Sequence, residues 1–136
     1  VVLAMFLGGL IGFEGEVADK PAGLRTHMLV AGSAALLTGL GRVLIPEMGL
    51  EESLIRTDPI RMIEAVVTGV SFLGAGTIIR NRGENQIEGL TTAATLLLTS
   101  ALGISIALQQ IVLTIGITVI VLVILRGIKF LEKAAQ

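Results

Sequence analysis

Long apolar runs separated by short polar stretches follow one another from the first residue. The opening run, Val1 to Phe13, makes about 20 Å of helix at 1.5 Å per residue, short of the roughly 30 Å of hydrocarbon a spanning helix crosses. It reads as a truncated first span whose start precedes Val1, in keeping with the absence of an initiator methionine. Having neither a basic segment before it nor an Ala-x-Ala-like site after it, the run fits a cleaved signal peptide poorly. Four more runs predict helices over residues 27–46, stopping at Pro46, and over 59–79, 89–104 and 109–126. The expected fold is an all-α, polytopic membrane bundle of about five transmembrane helices forming a single transmembrane domain over 1–136.

Composition identifies the solvent for that pattern. Hydrophobic residues are 53% of the 136 positions and charged ones 15%, with a mean hydropathy of +0.89, whereas a soluble domain is about a quarter charged. Lipid is the medium, and five spans leave little chain for a soluble head. A net charge of -1 supplies no basic field for nucleic acid. The absence of cysteine excludes disulfides and thiolate metal sites. Seventeen glycines favour close helix approach, while the missing Trp and Tyr remove the usual interfacial anchors.

The basic residues orient the chain. Lys20, Arg25, Arg80, Arg82, Arg126, Lys129 and Lys133 fall on one side, seven of the ten Lys and Arg; Arg42, Arg56 and Arg61 fall on the other beside Glu47, Glu51, Glu52 and Asp58. The positive-inside rule then predicts an N-terminus outside and a cytoplasmic C-terminus. An internal echo points to a parallel repeat of the first two hairpins: Gly8 to Gly15 precede Gly23-Leu24-Arg25-Thr26, and Gly69 to Gly76 precede Gly89-Leu90-Thr91-Thr92. The fifth span lies outside the echo and, being the most uniformly aliphatic, is expected to be the most lipid-exposed.

Two groups of polar residues could carry chemistry. At the outer end, Asp58-Pro59 makes a good helix start, and Asp58, Arg61 and Glu64 share one side of the first turns with Arg42 as the expected counter-charge. The group reads as a structural charge cluster or as a functional polar site, since a charge inside a span asks for a partner. At the cytoplasmic end, Glu14, Glu16, Arg25, Thr26 and His27 meet Thr91 and Thr92, with the hydroxyls of Thr26 and Thr92 expected to cap equivalent helix starts. A lone His without a second His or any Cys is a poor metal site, so the metal question stays open. Gly8, Gly12, Gly69, Gly74 and Gly76 read first as helix-packing positions.

The runs IGFEGEVADKPAGLRTH, DPIRMIEAVVTGVSFLGAGTII and EGLTTAATLLLTSALGI together resemble the MgtC/SapB membrane protein family in wording and order. FLGAG followed by GLTTAA is the specific part, and the blocks cover Ile11 to about Ile104. The resemblance implies a bacterial inner-membrane protein linked to growth at low magnesium and, in some members, to survival in host phagocytes. It also implies that some members act by restraining the membrane ATP synthase. Family members usually carry Arg where this chain has Gly15, a basic residue at Glu88 and often Trp at Leu97; many virulence-linked members add a soluble C-terminal domain, which is not expected before Gln136.

Three function classes follow. A non-enzymatic regulator that acts through contact with another membrane protein, with a homo-oligomer as a further option, fits the small-residue helix faces. A Mg2+ transporter or channel would line its path with Glu14, Asp58 and Glu64, few oxygens for an ion that wants near-octahedral coordination, so Mg2+ association is open and no other cofactor is expected. An intramembrane enzyme lacks a nucleophile motif, Ser33, Ser71, Ser100 and Ser105 reading as packing residues.

Overall fold

In a computed structural model, residues 1–47, 59–80 and 86–136 are described, and they form five helices in chain order: α1 (Val2–Val17), α2 (Leu24–Glu47), α3 (Pro59–Arg80), α4 (Gln86–Ala107) and α5 (Ile111–Ala134). Four of them are long and apolar enough to cross a bilayer, over Leu24–Leu44, Ile60–Arg80, Gly89–Ala107 and Ile111–Ala134. The chain is thus an all-α membrane bundle. Asp58, together with Glu51, Glu52, Arg56 and Arg82, lies outside the described residues, so the expected helix start at Asp58-Pro59 carries no capping geometry here.

The helices outrun several expected ends. α1 continues through Glu14 and Glu16 to Val17, and α2 begins at Leu24 and keeps Pro46 inside its last turn. Proline removes one ladder hydrogen bond there, which a frayed last turn tolerates better than a helix interior. α5 runs to Ala134, because Arg126, Lys129 and Lys133 interrupt the hydropathy but, at three- and four-residue spacing, stay on one helix side.

Two tight turns have the same cause. Asp19 (φ 56°) and Gln109 (φ 62°) are the non-glycine residues in the left-handed region, each just past a helix end. After α1, Lys20 N–H donates to Gly15 O at 2.9 Å and Asp19 N–H to Glu16 O at 3.1 Å; after α4, Gln110 N–H donates to Ser105 O at 2.9 Å and Gln109 N–H to Ile106 O at 3.0 Å. These nested bonds satisfy carbonyls that a helix end otherwise leaves open.

Packing places α2 and α4 at the centre, with α1 closest to α2, α3 closest to α4, and α5 resting lightly on α1 and α4. Two such parallel hairpins would give that order, but their entries differ. Gly23 precedes α2, whereas Gly89 lies within α4, which starts at Gln86. Thr26 is therefore the third residue of its helix and Thr92 the seventh of its own, so the two are not equivalent helix starts. α3 and α5 are the two most exposed spans: Val70 and Gly74 are the buried residues of α3, and Thr114 and Thr118 those of α5, so the fifth helix is exposed as expected and α3 is exposed with it.

Candidate functional site

Small residues let the central helices meet. A Cβ on Gly8 would stand 2.7 Å from both Ala31 Cβ and His27 O, and one on Gly12 2.8 Å from Gly23 O and His27 Cβ, so α1 touches α2 nearly backbone to backbone. Gly103 of α4 is as tight: its Cβ would collide with Ala31 O and stand 2.9 Å from Ala34 Cβ. Gly74 of α3 faces Ala93 of α4, a Cβ there coming 3.2 Å from the Ala93 Cβ. Gly69 and Gly76 behave otherwise. A Cβ on either meets nothing within 4 Å, so within this chain neither is a close-packing position; Gly69 lines an open cleft of about 410 Å³ between α3 and α2 with Leu29, Ser33 and Leu37, whereas Gly76 is exposed.

That close contact buries polar groups near the start of α2. Glu14 is 6% exposed, although it is a carboxylate near the end of an apolar helix. The turn after α1 folds Lys20 back over it, bringing Nζ within 3.5 Å of Glu14 Oε2. No hydrogen bond reaches that oxygen among the described residues, an expensive arrangement for a buried charge. Gly15 is part of the same geometry: a Cβ there would come 2.9 Å from Ala22 O, so any side chain at this place would push the turn away.

His27, 1% exposed, links α2 to α4. Its Nδ1 lies 2.9 Å from Gly23 O, an oxygen that can only accept, so Nδ1 carries a proton. Its Nε2 lies 3.1 Å from Thr95 Oγ1, whose single proton goes either to that nitrogen or to Thr92 O at 2.9 Å. Thr92 is 1% exposed, and its hydroxyl has no hydrogen-bond partner among the described residues. Thr91 and Glu14 line one cavity of about 290 Å³ with Lys20, Lys129 and Glu132.

Of the candidates at this end of the bundle, Glu14, His27 and Thr92 are buried and Thr91 is half-buried, while Arg25 and Thr26 are exposed. The capping role expected of Thr26 belongs to Glu16, whose Oε2 accepts from Leu24 N–H at 2.9 Å, a carboxylate at the positive end of α2. Spacing gave no signal for it, because Glu16 stands eight positions before Leu24 and reaches it across the turn. Thr95 and Gly103 were also missed, though Thr92, Leu96, Thr99 and Gly103 form a buried stripe at four-, three- and four-residue spacing.

The outer group does not assemble as expected. Arg42 Nη1 donates to Ala107 O at 2.7 Å, satisfying a carbonyl at the end of α4 instead of pairing with Glu64. Arg61 and Glu64 are exposed on α3, and among the described residues no ion pair joins either of them. No group of three His, Cys, Asp or Glu among the described residues could hold a metal ion.

Comparison with known proteins places this geometry. The chain is 40% identical over 111 residues to YhiD of Escherichia coli K12, a proposed magnesium transporter, covering 78% of this chain and 48% of YhiD. It is 37% identical over 122 residues to MgtC of Salmonella typhimurium, covering 90% of this chain and 48% of MgtC. SrpB of Synechococcus elongatus is 37% identical over 145 aligned residues, covering 99% of this chain and 76% of SrpB. The chain spans about half the length of YhiD and MgtC. No solved structure matches. The profile of the MgtC family matches residues 1–134, and the chain is a bacterial membrane protein that belongs to the MgtC family.

Proposed function

We propose that this chain is a non-enzymatic regulator of magnesium and ion homeostasis in the bacterial inner membrane, and that it acts by contact of α3 with another membrane protein. One observation carries the reading: α3 buries Val70 and Gly74 and leaves Arg61, Glu64 and Gly76 exposed, with no helix of this chain against Gly76. Helices in lipid gain little from apolar burial and associate through smooth small-residue faces and polar contacts. A charged pair in a span costs about 2.5–3.5 kcal/mol per side chain at the bilayer centre. Near the end of α3 the cost is smaller, but a partner helix bearing complementary polar groups would remove it. The magnesium part rests on the names of YhiD and its relatives. The basic-residue count supports a cytoplasmic C-terminus, and the membrane ATP synthase is the first partner to test, from the family resemblance.

A second reading, a Mg2+ transporter, is favoured by the buried Glu14 carboxylate with its unbonded Oε2. A hard cation would need about six oxygens or retained waters around it, and among the described residues Glu132 is the one other carboxylate that lines that cavity. Two measurements separate the readings. With the regulator, liposomes holding the purified chain give no saturable Mg2+ flux, and Gly76→Leu abolishes the low-magnesium growth phenotype while the chain stays folded. A saturable flux lost in Glu14→Gln would move the assignment to transport.

A further inference from the structure

α5 does not stop where its aliphatic run stops. It continues through Arg126, Lys129 and Lys133, and spacing of three, four and seven puts these cations and Phe130 on one helix side. There they meet α1, and with Phe13 and Val17 they line a chamber of about 290 Å³ at whose edge Glu14 stands. Along the outer surface of α1 and α5 the chamber continues into a trough of about 650 Å³ lined by Leu10 of α1 and by Leu122 and Gly127 of α5. Phe13, Arg126 and Phe130 belong to both, so the charged chamber and the apolar trough are one continuous cleft.

The charges in the cleft are unbalanced. Glu14 is paired with Lys20, and among the described residues Arg126, Lys129 and Lys133 take part in no ion pair or hydrogen bond. Three cations therefore face the chamber against one carboxylate that already has a counter-ion. A soluble anion would use the chamber and leave the trough unfilled, and a neutral hydrocarbon would do the reverse. A molecule with an anionic head and a long apolar tail satisfies both.

We propose that the cleft between α1 and α5 is a binding site for an anionic phospholipid. The phosphate is held by Arg126, Lys129 and Lys133, and one acyl chain lies in the trough beside Leu122 and over Gly127. Basic pockets between membrane helices recognise anionic headgroups by this combination of charge and apolar wall. The site is separate from the outward side of α3 and does not depend on a partner protein.

Gly127 makes the inference testable without touching a charge. A Cβ there meets nothing within 4 Å, so the backbone at Gly127 accepts a side chain, and Gly127→Phe puts a ring into the trough. The purified chain in neutral detergent is titrated with phosphatidylglycerol, with phosphatidylcholine of the same acyl chains, and with glycerol 3-phosphate, bound ligand being counted by native mass spectrometry. Phosphatidylglycerol is expected to be retained over phosphatidylcholine, with Arg126→Gln/Lys129→Gln weakening it by about tenfold or more. Gly127→Phe is expected to weaken it with all cations in place, and glycerol 3-phosphate is expected not to compete. Equal retention of the two lipids, full binding by Gly127→Phe, or displacement by glycerol 3-phosphate would each overturn the lipid site.

Discussion

On the α2 side of α4, an added Cβ at Gly103 would run into the backbone of Ala31; on α3, the same atom at Gly69 or Gly76 would enter open space. Both surfaces are built from glycine and alanine and read alike in the sequence, yet only the first has a helix against it. Small residues permit close approach without specifying which helix arrives. The inner surface is filled by this chain's own backbone, while the outer one, carrying Arg61 and Glu64 at its end, has the make-up of a surface waiting for a helix from elsewhere.

The sharpest way to break this contrast is to fill both surfaces. Gly103→Leu is expected to destabilise the bundle by about 3 kcal/mol, the cost of forcing a side chain into a closed interface. Gly76→Leu is expected to leave stability unchanged or slightly higher, because glycine in a helix costs about 0.5–1 kcal/mol relative to alanine. Thermal unfolding in detergent measures both, and similar losses for the two would erase the distinction. A smaller effect is expected at the α1–α2 turn, where Glu16→Ala removes the acceptor from Leu24 N–H and costs about 1 kcal/mol. Thr95→Val takes the hydroxyl from His27 Nε2 and is expected to cost about 0.6 kcal/mol in the same assay, typical of interhelical hydrogen bonds in membranes. Asp19→Gly relieves the left-handed backbone at φ 56° and is expected to stabilise by about 0.5 kcal/mol. A loss there would mean that the Asp19 side chain holds the turn in some other way.

Number, order and type of the helices were legible because about 20 apolar residues in a row have few other fates. The end of α5 was not, since a hydropathy run stops at Arg126 whereas backbone hydrogen bonding does not. Pro46 misled for a related reason: it forbids a ladder bond but not membership of a last turn. In the candidate site, Glu14, His27 and Thr92 were readable as polar residues beside glycine-rich segments. Their neighbours were not readable from spacing alone: Lys20 reaches Glu14 because a left-handed Asp19 folds the chain back, and Thr95 reaches His27 from 68 positions away. Arg42 was expected at Glu64 from its charge, but a carbonyl left open at the end of α4 is the acceptor it meets.

Photo-cross-linking in native membranes tests the central claim most directly, with the photoreactive residue placed at Phe72 of α3 or at Val112 of α5, side chains 82% and 87% exposed. Position 72 is expected to yield an adduct with a different membrane protein that Gly76→Leu removes, while position 112 yields lipid adducts alone. Lipid adducts alone from both positions, or an adduct only with a second copy of this chain, would contradict the account.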